Sequence, residues 1–212
     1  MEVILTSLDP QLTKAWKTFC GDVEGVEIHQ GSILEVDCDA VVSPANSFGF
    51  MDGGIDAVYT NHFGKQLQQR VQQRIKEVHH GELLVGQADI FPTDGSPAFL
   101  IVAPTMRVPM ILRDSVNAYL AARAVLLLVK HGIFSTGPDQ DTPIAQKVKR
   151  VAFPGLGTGV GQLSGATCAH QVRMALDEVL LGRHDFPATW ADAQARHQLL
   201  YTDRVRNLQK SE

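Results

Sequence analysis

Cysteine is scarce in this chain. Only Cys20, Cys38 and Cys168 occur among 212 residues, far apart and without CxxC or metal-ligand spacing. That pattern argues against a disulfide framework and against a metal site, and suits a reduced setting. Long apolar runs are missing too. The longest, residues 121–129, is interrupted by Arg123 and falls well short of the roughly 20 residues a membrane-crossing helix needs. The opening stretch Met1-Glu2-Val3-Ile4-Leu5-Thr6-Ser7 has no basic segment ahead of its short apolar run, so no secretory leader is expected in it. Positive charge is not in excess: 19 Lys and Arg face 23 Asp and Glu, for a formal charge of -4. The basic face that supports nonspecific nucleic-acid binding is therefore not expected. These absences predict a cytoplasmic protein without a membrane partner.

What is present is the composition of a globular domain, with 44% hydrophobic and 20% charged residues. The length fits one domain with a decoration, and about 70% of the unfolded surface of such a chain can be buried. Short apolar runs at residues 3–6, 26–29, 39–43, 85–91, 98–103 and 148–153 read as strands. Thr93-Asp94-Gly95-Ser96-Pro97 separates the fourth from the fifth and predicts an antiparallel pair. Helical signals alternate with the strands. Asp9-Pro10 reads as a cap followed by proline at the first helical position. Leu67, Val71, Ile75 and Val78 recur at helical spacing ahead of Gly81. Ser115 and Ser164 read as caps of helices stopped by Gly132 and Gly182. Residues 134–146 read as a mobile surface loop. A last amphipathic segment, 187–200, carries Trp190 as its expected core anchor, and the charged tail 204–212 is expected to fray. The alternation predicts an α/β fold, a three-layer α/β/α domain with a mixed central sheet. Its expected bounds are residues 1–182, with 183–212 a C-terminal helical extension.

Two glycine-rich loops, each following a strand-like run, hold the functional signal. The first is Ala45-Asn46-Ser47-Phe48-Gly49-Phe50-Met51-Asp52-Gly53-Gly54-Ile55-Asp56, and the second is Pro154-Gly155-Leu156-Gly157-Thr158-Gly159-Val160-Gly161. Small residues let backbone approach a ligand, and successive N–H groups can cradle anionic oxygens. Two such loops at neighbouring strand ends would close over a diphosphate. The second loop is not a dinucleotide fingerprint, because the sixth position counted from Gly155 or Gly157 is Val160 or Gln162. GxxxxGK[ST], GxSxG and HExxH are all absent.

The ordered set resembles the macrodomain family of ADP-ribose binders and hydrolases. It runs from Gly31-Ser32-Ile33, through Ala45-Asn46-Ser47 and Gly53-Gly54-Ile55-Asp56, to Val102-Ala103-Pro104, Ala152-Phe153-Pro154 and Gly157-Thr158-Gly159-Val160. The ten-residue step from Asn46 to Asp56 is closest to the MacroD-like hydrolase pattern. The resemblance implies that Asn46 holds the distal ribose. It places Ser32 and Ile33 at the adenine end, Gly53, Gly54 and Ile55 in the first diphosphate loop, and Gly155 and Gly157 to Gly161 in the second. It makes Asp56, with Asn46, the catalytic candidate, orienting a water together with a phosphate oxygen. The implied partner is ADP-ribose or an ADP-ribosylated substrate, including a nucleic acid only where it is the modified target. No metal and no cofactor is implied, and a monomer is expected. Hydrolysis of an ADP-ribosyl ester is the leading reading; a non-catalytic reader and an ADP-ribose 1″-phosphate phosphatase are the alternatives.

Several positions depart from the pattern. Ser32 stands where the family has an aspartate for the adenine amino group, so Asp37 or Asp39 is a candidate substitute. Ser43 replaces an asparagine, Met51-Asp52 replace two glycines, and Gly161 replaces an aromatic residue. Plainer roles compete as well. Asp56 fits an N-cap, Asn46 fits loop backbone, His79-His80 fit a helix C-terminal dipole, and Phe48 and Phe50 fit either cleft or core.

Overall fold

The strands are apolar on both faces because both faces are covered. The computed structural model describes residues 1–207. Six strands, β1 Glu2–Ser7, β2 Val26–Gln30, β3 Ala40–Ser43, β4 Asp89–Pro92, β5 Phe99–Val102 and β6 Arg150–Phe153, form one sheet in the order β2-β1-β6-β3-β5-β4. All neighbours run parallel except β4 and β5, as the turn signal at 93–97 predicts. Thr93 Oγ1 closes that turn, donating to Pro97 O at 2.5 Å and accepting Gly95 N.

Alternation along each strand divides the core. Val3, Leu5, Val42, Val151 and Phe153 face one layer, built by α1 Pro10–Cys20, α4 Asn117–His131 and α6 Gly165–Ala175. Ile4, Val41, Val102 and Ala152 face the other, built by α2 Gly54–Phe63 and α3 Gln66–Val78. The result is the three-layer α/β/α architecture with a mixed sheet. Asp9 caps α1 through its Oδ1, 2.9 Å from Gln11 N, with Pro10 at the first helical position. Ser164 caps α6 by accepting Thr167 N. Among the described residues, no helix is long and apolar enough to cross a membrane.

Several local expectations are corrected. The fourth strand is only Asp89–Pro92, because Gly86 turns with φ +93° ahead of it. In α3, Leu67, Val71 and Ile75 are buried, but Val78 is 49% exposed, and His80 (φ +55°) precedes Gly81 in the left-handed region. Val116 and not Ser115 takes the N-cap position of α4; the Ser115 hydroxyl donates to Leu112 O and accepts Asn117 N, the first N–H of the helix, at 3.5 Å. Helix α6 continues into a π-turn, Leu176–Leu180, before Gly182. The segment 134–146 is tied down at both ends. Phe134 and Ile144 are buried, Phe134 exchanges backbone hydrogen bonds with residues 141–142, and α5 Ile144–Lys147 forms.

Trp190 is not a core anchor either. It is 63% exposed at the start of α7 Trp190–Leu199, which is held instead by buried Gln198 and Leu200. Gln198 exchanges hydrogen bonds with the Arg206 backbone. The tail therefore stays attached through 206, and residues 208–212 lie outside the described residues.

Gln171 links these pieces. Fully buried on α6, it accepts Tyr119 N at 3.0 Å and donates to Ser115 O at 2.8 Å and Leu200 O at 3.2 Å. Gln171→Leu leaves those groups without a partner. Each buried unsatisfied group costs about 1–3 kcal/mol, so a loss of roughly 3 kcal/mol is expected by denaturant titration. A loss below about 0.5 kcal/mol, the range of an ordinary surface change, would contradict this role.

Candidate functional site

In a parallel sheet the carboxyl ends of the strands share one edge, and ligands bind in the crevice beyond it. Here β1, β2, β3, β5 and β6 all deliver their following residues to that edge. A cleft of about 550 Å³ opens there, within the range of about 300–1,000 Å³ typical of ligand pockets. Ser32, Ile33, Asn46, Gly53, Gly54, Ile55, Asp56, Gly155, Gly157, Thr158, Gly159, Val160 and Gly161 all line it. One wall therefore gathers residues from across 130 positions of sequence.

The first loop is shaped by its own side chains. Asn46 Oδ1 accepts Phe48 N and Phe50 N at 3.1 and 3.3 Å, and its Nδ2 donates to Phe50 O at 2.8 Å. The plainer role for Asn46, fixing loop backbone, is thus present in the structure. Met51 is buried in the core, its N–H donating to Gln68 Oε1 while Thr60 Oγ1 donates to its carbonyl. Its side chain does not obstruct the cleft, whereas exposed Asp52 lines it. Phe50 lines the cleft at 54% exposure; Phe48 lies instead beside the Arg107 guanidinium, 5.2 Å from its ring centre.

Helix α2 starts at the end of this loop. Its N-cap is Gly53, with no side-chain cap, so Asp56 is not the capping residue. A helix start left open in this way presents N–H groups and a positive dipole end to the cleft. Gly53 and Gly54 have open space where a Cβ would stand. Asp56 sits in the first turn, 7% exposed. The Ser43 hydroxyl donates to its Oδ1 at 2.5 Å. Burial pushes the carboxyl up from 3.8 to about 6, and the Ser43 hydrogen bond only partly opposes it. Beneath it, buried Tyr59 donates to Val42 O at 3.0 Å.

The second loop rests on a wedge. Leu112, buried in the β5–α4 connection, donates its N–H to Gly161 O at 2.8 Å. A Cβ on Gly157 would stand 2.9 Å from Leu112 Cδ1, at a φ of +70°, and one on Gly161 would meet the same atom at 2.8 Å. Gly161 is thus filled from behind, and an aromatic side chain has no room there without displacing Leu112. Gly159 is open, and Val160 is exposed beside it.

At the other end of the cleft, Ser32 caps a 3₁₀ turn, Ile33–Glu35, in a reciprocal capping box with Glu35. The candidate substitutes for base reading are misplaced. Asp39 Oδ2 accepts Lys149 N and Arg150 N, and Asp37 pairs with Arg150. Neither lines the cleft. Both precede β3 and so belong to the opposite edge of the sheet. His79 faces Asp89 at 2.8 Å beside Arg74. Among the described residues no group of three His, Cys, Asp or Glu side chains is placed to hold a metal. Sequence reasoning missed Ser7 at the end of β1, Leu8 and Asp9 after it, and Thr105, Met106 and Pro109 after β5. The Asp9-Pro10 helix start directly after a strand was the available signal for the first group.

The Macro domain family model matches residues 42–172. The chain belongs to the Macro domain family. An uncharacterized protein of Aquifex aeolicus is 34% identical over 138 residues, covering 64% of this chain and 71% of that relative. Another, of Aeropyrum pernix, is 31% identical over 149 residues, or 70% and 68%. Among solved structures, a mutant macrodomain of Oceanobacillus iheyensis with ADPR superposes with a TM-score of 0.57 at 19% identity. That match covers 73% of this chain and 77% of the other. The macrodomain fold accounts for the glycine loops lying across one cleft.

Two predictions follow the geometry. Gly157→Ala forces a side chain into left-handed backbone against Leu112, and should lower stability by more than about 1 kcal/mol. Gly159→Val should leave stability within about 0.5 kcal/mol, since its side chain enters open cleft; paired thermal melts in which the two variants behaved alike would refute this division of roles.

Asp56 has a stability signature. Its folded pKa of about 6 lies above the ordinary 3.8, so the folded state holds the proton more tightly. Stability then falls as pH rises from about 4 to about 6 and stays lower above it. Asp56→Asn removes that penalty. It should match wild type near pH 4 and exceed it by roughly 2 kcal/mol at pH 8, given 1.36 kcal/mol per pKa unit. A variant less stable than wild type at pH 8 would make Asp56 a structural residue.

Proposed function

We propose that this macrodomain binds ADP-ribose and hydrolyses an ADP-ribosyl ester whose acyl oxygen is on the anomeric carbon, on a protein carboxylate or in O-acetyl-ADP-ribose acylated at that oxygen. The observation that carries the reading is the buried carboxyl of Asp56, pushed up to about 6, in the wall of the glycine-lined cleft. Perturbed carboxyls concentrate at reactive sites because the chemistry needs a proton acceptor that is ionised yet basic near neutral pH. In this reading the two glycine loops and the open end of α2 hold the diphosphate. Asp56 takes a proton from water as the water oxygen bonds to the anomeric carbon of the distal ribose, and the C1″–O bond breaks to release the carboxylate. Ser43 positions Asp56 through its hydrogen bond. The ADPR in the Oceanobacillus macrodomain structure supports the choice of ligand.

A reader without turnover is favoured by one observation: the Asn46 amide is already engaged by the loop backbone, with both its oxygen and its nitrogen bonded. The test separates the two. ADP-ribose at a hundredfold excess over Kd should stabilise the protein by about 2.7 kcal/mol. With an ester-linked substrate, kcat/KM should rise with pH through about 6, as Asp56 loses its proton. Asp56→Ala should keep the thermal shift and lose at least about a hundredfold in turnover, the usual range for removing a general base. A preserved thermal shift with no wild-type turnover on either ester would leave the reader. Absence of the shift would refute ADP-ribose as the ligand.

A further inference from the structure

The cleft is acidic, and one of its carboxylates has no structural task. Asp9, Asp52 and Asp56 line it, and among the described residues no lysine, arginine or histidine does. Asp9 caps α1, and Asp56 is buried under the Ser43 hydroxyl. Asp52 is exposed and has no hydrogen-bond or ion-pair partner among the described residues.

Its place is nevertheless fixed. Met51 before it is locked to Gln68 and Thr60, and Gly53 after it is the N-cap of α2. Its charge therefore stays in the stretch of cleft wall built by the first loop and the start of α2, with Asp56 and the apolar Phe50 and Val58. Among the described residues, no side chain lining the cleft offers a cation to an added anionic group. The one electropositive element nearby, the start of α2, faces the diphosphate in the ADP-ribose reading, on which this inference rests.

We propose that Asp52 is a specificity-determining residue: it makes the distal end of the cleft reject ligands carrying further negative charge on the ribose and admit those whose group there is uncharged. An acyl ester meets that condition, and a 1″-phosphate does not. The cleft thus takes the ester and turns away the more highly charged substrate of a 1″-phosphatase.

The experiment is calorimetric. Kd values for ADP-ribose and ADP-ribose 1″-phosphate are measured on wild type, Asp52→Asn and Asp52→Gly, in about 0.01 M and about 1 M salt, where the screening length falls from about 30 Å to about 3 Å. In low salt, wild type should bind the 1″-phosphate at least about tenfold more weakly than ADP-ribose. Removing the Asp52 charge should improve 1″-phosphate affinity about fivefold more than ADP-ribose affinity, the scale expected for two charges several ångströms apart in a solvated cleft. In high salt the difference between variants should disappear. Equal binding of the two ligands by wild type, or a ratio that neither substitution moves, overturns the role of Asp52 and leaves ADP-ribose binding intact. Failure of wild type to bind ADP-ribose overturns the ADP-ribose reading and this inference with it.

Discussion

An anion entering this cleft meets backbone amides and no cationic side chain, since none lines the cleft among the described residues. That constraint governs the rest of the site. Amides attract an oxygen only over hydrogen-bond distance and in the right direction, so the loops carrying them must be held in shape before a ligand arrives. Three unrelated devices do this. Asn46 ties the first loop across its base. Met51 anchors the same loop in the core. Leu112 props the second loop from a different connection. Met51 and Leu112 act from behind their loops, Asn46 acts from the cleft wall itself, and Gly53, Gly54 and Gly159 keep open space where a side chain would stand.

The same lack of cations explains Asp56. A carboxyl buried next to an arginine or lysine would be held below its usual range. Asp56 has a single hydroxyl donor, and desolvation dominates. Its ionised form is therefore disfavoured in the folded protein, and the site carries a stability penalty at neutral pH. The penalty is avoidable, because an asparagine would also accept the Ser43 hydroxyl through its amide oxygen and has no charge to desolvate. Retaining an acid there is the economical arrangement only where its basicity is used. The packing of α2 against β3, through Ser43–Asp56 and Tyr59–Val42, thus bears on the chemistry proposed for the cleft.

Much of the architecture was legible because local signals and burial agree. Strand alternation, the Asp9-Pro10 helix start, the Ser164 cap and the 93–97 turn each have one local physical solution, and each is found. The glycine loops were legible because their spacing survives without knowledge of what packs behind them. The errors share a cause in contacts remote in sequence. Trp190 has the bulk of a core residue, but Gln171 and Leu200 hold that segment instead. Leu112 gives no local sign that it seats a loop nearly fifty residues away. The placement of Asp37 and Asp39 was avoidable: residues that enter a parallel strand lie at the edge opposite the ligand crevice.

Met51-Asp52 illustrates how a departure from a glycine pattern divides into two effects. Glycines in such a loop keep the surface low and the backbone free. Replacing one by methionine does not raise the surface here, because the side chain turns into the layer formed by α2 and α3 and is covered. It stiffens the loop that precedes the α2 N-terminus. Aspartate at the next position is exposed and adds a charge to the cleft. The first change acts on pre-organisation and the second on which ligands approach, so neither requires the diphosphate cradle itself to move. Asp52 thus adds an exposed carboxylate to a cleft wall that also carries Phe50 and the buried Ser43–Asp56 pair. In the proposed reaction a neutral ester meets no repulsion from that charge on binding, and the carboxylate it releases meets it as product, which speeds dissociation and not bond cleavage.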